Sequence, residues 1–228
     1  MFQNLFDFFV ATLVDEDGYV SYAPTTAGNI ALFLLILLLF IAMAAFSGYK
    51  RKTRIKQLAF SAMGVTLAVV TSLFPLYKFP FGGSITLFSM FFICFVGHLY
   101  GAKAGIITGI SYGFINLILG PYIIHPMQLL LDYPIAFGAL GLAGIFSNSK
   151  YGLVKGYLLG ILGRYIASSL SGYIFFASYA PEGWNPIVYT LVYNIGYIGP
   201  EVLLTVIFLV IPPVQNALKQ VKQMAVEE

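Results

Sequence analysis

Seven apolar runs, at approximately 27–46, 57–76, 85–101, 104–120, 127–147, 156–176 and 187–211, constrain this chain more than any other feature. A helix rising about 1.5 Å per residue needs about 20 such residues to cross the hydrocarbon core of a bilayer. Inside lipid, a continuous segment of this length satisfies its own backbone groups as a helix. The expected fold class is therefore an all-α integral membrane protein: a six-helix core with one additional N-terminal transmembrane helix, seven spans in all. Composition points the same way. Of 228 residues, 59% are hydrophobic and 9% charged, and the mean hydropathy of +0.87 excludes an ordinary soluble domain.

Orientation follows from the basic residues, which collect in cytoplasmic loops. Lys50, Arg51, Lys52, Arg54 and Lys56 separate the first two runs. Alternate loops add Lys103, then Lys150 and Lys155, and Lys219 and Lys222 follow the last run; only Lys78 falls on the opposite side. The expectation is a multi-pass protein of the plasma membrane. Its N-terminus, carrying Asp7, Asp15, Glu16 and Asp17, lies outside and its C-terminus inside. The region before the first run lacks positive charge, so that run reads as a retained anchor rather than a cleavable signal. The net charge of +3 is the sum of these topogenic residues, with no nucleic-acid footprint. One cysteine, Cys94, forms no internal disulfide.

The chain divides into an N-terminal stretch plus extra helix (1–48), a basic connector (49–56), a six-helix body (57–213) and a tail (214–228). No phosphate-binding G-x-x-x-x-G-K-[ST] loop occurs, so the chain is not expected to hydrolyse ATP by itself. Gly109-Ile110-Ser111-Tyr112-Gly113 matches G-x-S-x-G, but a nucleophile elbow needs a strand-to-helix turn and this copy lies inside a span. Ser171-Gly172 has no mid-membrane base, because the histidines are His98 near one face and His125 in a loop. Two such histidines and one cysteine assemble no metal site. Gly105, Gly109 and Gly113, like Gly156 and Gly160, read as ridges of small residues that let helices approach closely.

Asp132 is different. An ionisable side chain within a span costs roughly 2.5–3.5 kcal/mol on insertion scales, so it persists where it faces protein or a water-filled cavity. Counting about 1.5 Å per residue from the outer helix ends puts Asp132 roughly 7 Å deep, Asn116 roughly 6 Å, Asn194 roughly 10 Å and Ser168 roughly 12 Å. Four helices thus bring polar groups to similar depth. Tyr133, Phe176, Tyr189 and Tyr193 run beside them, with Tyr179 and Trp184 in the loop after the sixth run. A carboxylate among aromatic rings suits a flat organic cation, which gains about 0.5–2 kcal/mol over a ring face. The competing reading is an aromatic belt at the interface with one helix-packing aspartate. Arg164 and Glu201, both in the inner half, are expected to pair. Pro134 and Pro200 each free a carbonyl one turn earlier and are expected to kink their helices.

Three strings carry a resemblance. They are Gly82-Gly83-Ser84-Ile85-Thr86-Leu87, Gln128 through Asp132-Tyr133-Pro134 to Gly138, and Phe175-Phe176-Ala177-Ser178-Tyr179-Ala180-Pro181-Glu182-Gly183 with Tyr189 to Asn194. Over about 57–213 the chain resembles the thiamin-specific S components of energy-coupling factor transporters, the ThiT or YuaJ family. The resemblance implies a non-enzymatic, six-helix substrate-capture subunit that needs no cofactor. Such a subunit binds thiamin from outside, works with a membrane T component and two cytoplasmic ATPase subunits, and topples in the bilayer to release its cargo.

It further implies that Asp132 bonds the aminopyrimidine, with Tyr133, Tyr189, Asn194 and Phe176 around the ligand; Ser168, Asn116, Gln128 and Trp184 complete the candidate set. Where relatives can carry a histidine and an acid, this chain has Ser168 and Thr86, which removes polar contacts to the ligand. The helix at 27–46 is a further departure from the six-helix pattern. Gly64 and Ala68 fall where the family presents small residues to its membrane partner. Two other readings stay open: an S component for another small aromatic nutrient, and a stand-alone cation-coupled carrier in which Asp132 binds a proton.

Overall fold

The computed structural model describes residues 7–14, 20–46 and 51–226. Lys50, Asp15, Glu16 and Asp17, which entered the orientation argument, lie outside the described residues. Before the first span, β1 (Val10–Val14) and β2 (Val20–Pro24) pair antiparallel, from Val10 opposite Pro24 to Val14 opposite Val20. Sequence reading gave no sign of this hairpin. Thr25 then fastens it to the next helix. Its N–H donates to Phe9 O at 3.0 Å, its hydroxyl to Phe8 O at 2.6 Å, and its Oγ1 accepts from Gly28 N at 3.2 Å. The last bond caps α1 (Thr26–Phe46) by satisfying an amide that has no partner within the helix.

Helix α2 (Arg51–Ser72) begins earlier and ends earlier than the 57–76 run. Residues 73–88 turn back through a short hairpin, β3 (Tyr77–Lys78) and β4 (Ser84–Ile85). That hairpin shortens the third span: α3 runs only Ser89–Tyr100, 12 residues, and starts after Phe88 at a φ of 65°. At about 1.5 Å per residue this is well short of a bilayer crossing. Five other helices of the described residues are long and apolar enough to cross one: the Ile55–Ser72 part of α2, α4 (Ala102–Leu119), α5 (Pro126–Phe146), α6 (Gly152–Phe175) and α7 (Pro186–Val210).

The glycine ridges decide how these helices pack. A Cβ on Gly109 would lie 2.1 Å from Phe137 O, on Gly105 2.7 Å from the Gly141 Cα, and on Gly113 2.7 Å from Tyr133 O. Helix α4 therefore presses its bare face onto the backbone of α5. Gly156 and Gly160 do the same from α6, where added methyls would lie 2.3 Å from Ala143 O and 2.7 Å from Leu140 O. Between them sit the buried Ile93, Cys94, Leu140 and Tyr157. Outward, Leu67, Leu162, Ile166, Leu170, Leu203 and Ile207 are exposed, as lipid-facing side chains of a membrane protein must be.

Gly64 and Ala68 face inward, which corrects their assignment to a partner surface. A Cβ on Gly64 would sit 2.6 Å from Val96 Cγ2. Ala68 is fully buried, and its carbonyl accepts from Tyr112 Oη at 3.5 Å. Their lack of bulk is spent on the α2–α3–α4 contact. The C-terminal segment, expected as a tail, forms α8 (Pro212–Val226). It packs across one end of the bundle, where Tyr100 Oη donates to Ala225 O at 3.1 Å and Lys222 Nζ to Ser147 O at 2.8 Å.

Candidate functional site

Helix α5 is broken where it carries its charge. Pro134 contributes no backbone N–H, and the helix widens into a single π turn over Leu131–Ile135, between a regular turn at Pro126–Leu130 and a 3₁₀ end at Leu140–Phe146. Such turns mark places where an amide is missing from the ladder, and they are frequent at functional sites. Asp132 lies inside the π turn, and Gln128 Nε2 donates to its Oδ2 at 2.6 Å. Gln128 is itself clamped by the preceding loop: its Nε2 also donates to Tyr122 O at 3.1 Å, and its Oε1 accepts from Ile124 N at 3.1 Å. Tyr133 Oη accepts from Tyr122 N at 2.9 Å.

These groups form one wall of a cavity of about 300 Å³, at the low end of the range for small-molecule sites. Asn116 of α4, Asp132 and Tyr133 of α5, Ser168 of α6, and Tyr189 and Asn194 of α7 all line it, with Gln128 and Phe176. Asn194 is fixed by three bonds: its Nδ2 donates to Thr190 O at 2.9 Å and Ser168 O at 3.4 Å, and its Oδ1 accepts from Tyr197 Oη at 2.7 Å. Phe176 lies 6.1 Å from the Tyr122 ring and 5.6 Å from that of Tyr179. The β3–β4 hairpin adds Lys78, Phe81, Gly82 and Gly83 to the lining. Tyr193 Oη ties it down by donating to Pro80 O and Gly82 O. Gly82 and Gly83 hold φ near 89° and 84°, a region that side chains strain to enter.

Residues 58–221 match the family described as "Thiamine transporter protein (Thia_YuaJ)". The chain belongs to this family of thiamine transporter proteins. It is 34% identical over 175 residues to the thiamine transporter ThiT of Bacillus subtilis, an alignment covering 70% of this chain and 90% of that one. ThiT of Lacticaseibacillus paracasei is 32% identical over 117 residues, 44% of this chain and 58% of the relative. The fold matches a solved structure of ThiT from Listeria monocytogenes with a TM-score of 0.63, at 23% identity, over 76% of this chain and 98% of that one. Thia_YuaJ proteins are membrane transporters rather than enzymes. The G-x-S-x-G serine accordingly sits in mid-helix, with Ser111 Oγ donating to Ile107 O at 2.9 Å.

Three expectations about this Thia_YuaJ chain need correction. Trp184 does not line the cavity: it is 49% exposed, in the loop that its N–H closes onto Pro181 O at 3.0 Å. Thr86 is not a ligand-facing position either, since it is buried with its Oγ1 donating to Glu201 at 2.5 Å. Nor does Glu201 take its bonds from Arg164. It accepts from Thr86, from Ser89 Oγ at 3.2 Å and from Met90 N at 2.9 Å, so it caps α3 from across the fold. Arg164 turns instead to the cavity, its guanidinium 4.2 Å from the Phe137 ring. Arg164, the hairpin residues Lys78 and Phe81, and Tyr122, Thr190 and Tyr197 are among the lining groups that sequence reasoning missed. Helical phase held the only clue to Arg164, which stands one turn before Ser168 on α6. Among the described residues, no cluster of His, Cys, Asp or Glu could hold a metal ion.

Proposed function

We propose that this chain is the substrate-capture subunit of a vitamin importer and that its cavity binds thiamin. The observation that carries the proposal is Asp132, a carboxylate in a broken membrane helix, facing a cavity walled by Tyr122, Tyr133, Phe176, Tyr189 and Tyr193. Thiamin presents two matching features: an aminopyrimidine whose exocyclic N–H groups a carboxylate accepts, and a thiazolium cation that gains about 0.5–2 kcal/mol over an aromatic face. In this reading Asp132 takes the amine, Tyr133, Phe176 and Tyr189 hold the rings, and Asn116, Ser168 and Asn194 supply polar contacts. Gln128 orients Asp132. A counter-charge for the carboxylate, Arg164, stands in the same cavity wall.

In this reading the cavity opens to the outside, with the N-terminus outside and the C-terminus in the cytoplasm, which the distribution of basic residues in the sequence supports. A chain with no nucleotide-binding loop needs an external energy source to concentrate its ligand. By its resemblance to energy-coupling factor S components, we propose a membrane T component and two cytoplasmic ATPase subunits as its partners. With Gly64 and Ala68 committed to internal packing, the face of α2 free for a partner helix carries Ala62, Met63, Thr66 and Leu67, all exposed.

Calorimetric titration of the purified, detergent-solubilised protein tests the binding step, with riboflavin as control and Asp132→Asn beside wild type. Tight binding of thiamin alone, weakened in the variant, is the expected result; no heat with thiamin overturns the reading. Proteoliposomes carrying the chain with its energising subunits should accumulate thiamin only with ATP inside. Uptake by the chain alone would replace the importer reading with a stand-alone carrier.

A further inference from the structure

The N-terminal hairpin and α1 lie outside the residues matched by the family, which begin at 58, yet they touch the loop that builds the cavity wall. Tyr22 in β2 donates its backbone N–H to Ile123 O at 2.6 Å and forms an antiparallel bridge with that residue. Ile123 is the buried centre of the segment 121–125. Its neighbours on both sides are the anchors of the site: Tyr122 N donates to Tyr133 Oη and Tyr122 O accepts from Gln128, while Ile124 N donates to Gln128 Oε1. Gln128 then donates to Asp132.

The hairpin is held in place from below, since Thr25 bonds the Phe8 and Phe9 carbonyls and Gly28 leaves so little room that a Cβ there would lie 2.2 Å from Phe9 O. We propose that the N-terminal hairpin is a positioning element of the ligand site, adding a strand to loop 121–125 and so fixing Gln128 and Tyr133 around Asp132. The consequence for affinity rests on the thiamin reading above; the mechanical coupling does not. A lone two-stranded hairpin is marginal in water, and here it gains a third strand-like partner. That partner, residues 121–125, would otherwise be a short loop whose backbone carries the site's orienting bonds. Tyr22 and Gln128 act through Asp132 and are positioning residues.

The test breaks the bridge from Tyr22 to Ile123 in the full-length protein. Strand amides alternate between the two edges, so the N–H groups of Tyr22 and Val20 both point away from β1, but only Tyr22 meets the loop. Tyr22→Pro deletes the bridge but leaves the β1–β2 bonds in place, because this N–H points away from β1; Val20→Pro is the control for proline damage, and Tyr22→Ala, which keeps the N–H, is the control for loss of the ring. Gly28→Leu displaces the hairpin by a different route. In ligand-free protein, hydrogen exchange of the 121–132 segment should rise at least about tenfold in Tyr22→Pro and Gly28→Leu and stay near wild type in Val20→Pro, as expected when a bond worth about one factor of ten is lost.

Calorimetry should then show thiamin binding weakened by about the same factor. Oxythiamin, which lacks the exocyclic amine, should lose much less, because the fault lies at the carboxylate. Unchanged exchange in Tyr22→Pro would overturn the coupling. Equal losses for both ligands, with a lowered melting temperature, would reduce the hairpin to a stabilising appendage and overturn the positioning role. A wild-type protein that ignores thiamin while the exchange difference persists would overturn the thiamin reading and leave the coupling standing.

Discussion

Gln128 Nε2 donates to Asp132 Oδ2 across 2.6 Å, from the regular first turn of α5 into the π turn that holds Asp132. The buried amide thereby orients a carboxylate that lines the cavity. Asp132→Asn keeps the shape but replaces a charged acceptor with an amide that also donates. The expected loss in thiamin affinity is about 10- to 100-fold, the value of one charge-assisted hydrogen bond. Gln128→Leu should cost less, about tenfold, because it releases the carboxylate without removing it. Titration calorimetry ranks the two; a Gln128→Leu effect as large as that of Asp132→Asn would refute the division of roles.

Glu201 should matter for stability and not for ligand choice. It accepts from Thr86, Ser89 and Met90 and joins the β3–β4 segment to the start of α3. The Thr86 and Ser89 hydroxyls also bond each other at 2.6 Å, so Glu201→Ala leaves Met90 N and one of the two hydroxyls without an acceptor, for an expected loss of about 2–4 kcal/mol. Thr86→Ser, which keeps the hydroxyl, should be near neutral. Thermal unfolding in detergent reads both, and a wild-type melting temperature for Glu201→Ala would contradict the cap.

The glycine ridges separate by position. Gly109→Ala drives a methyl to 2.1 Å from Phe137 O, and overpacking of this kind costs about 1–3 kcal/mol. Gly199→Ala meets only Ile195 side-chain atoms at 3.6 Å and beyond, so it should gain up to about 1 kcal/mol of helix stability. Opposite shifts in melting temperature are expected; equal shifts would show that α4 and α5 do not meet as described.

Fluorescence offers a check on the cavity lining. Trp184, the sole tryptophan, is half exposed and off the lining, so thiamin should change its emission little. Moving the probe with Phe176→Trp in a Trp184→Phe background puts the indole in the wall between Tyr122 and Tyr179. Strong, saturable quenching is expected there. Strong quenching in wild type and none in the double variant would move the ligand out toward the loop.

The sequence by itself determined the helical membrane class, the close approach of α4 and α6 to their neighbours, and the polar set at one depth. Each follows from a local rule. A long apolar run has only helix available in lipid, spaced glycines invite backbone contact, and counting residues along a helix gives depth. That is how Asp132, Asn116, Ser168 and Asn194 could be grouped before any contact was known. Only the tertiary structure decided which way the other residues face. It turned Gly64 and Ala68 inward, sent Arg164 to the cavity and gave Glu201 to Thr86, Ser89 and Met90. In water the polar side of a helix marks its outer surface, but lipid is as apolar as a protein core. A membrane helix is therefore hydrophobic on both its buried and its exposed faces, and its sequence carries little record of its rotation. The N-terminal hairpin was hidden for a related reason: its bridge to Ile123 joins backbone atoms roughly a hundred residues apart, and backbone hydrogen bonds leave no side-chain signature.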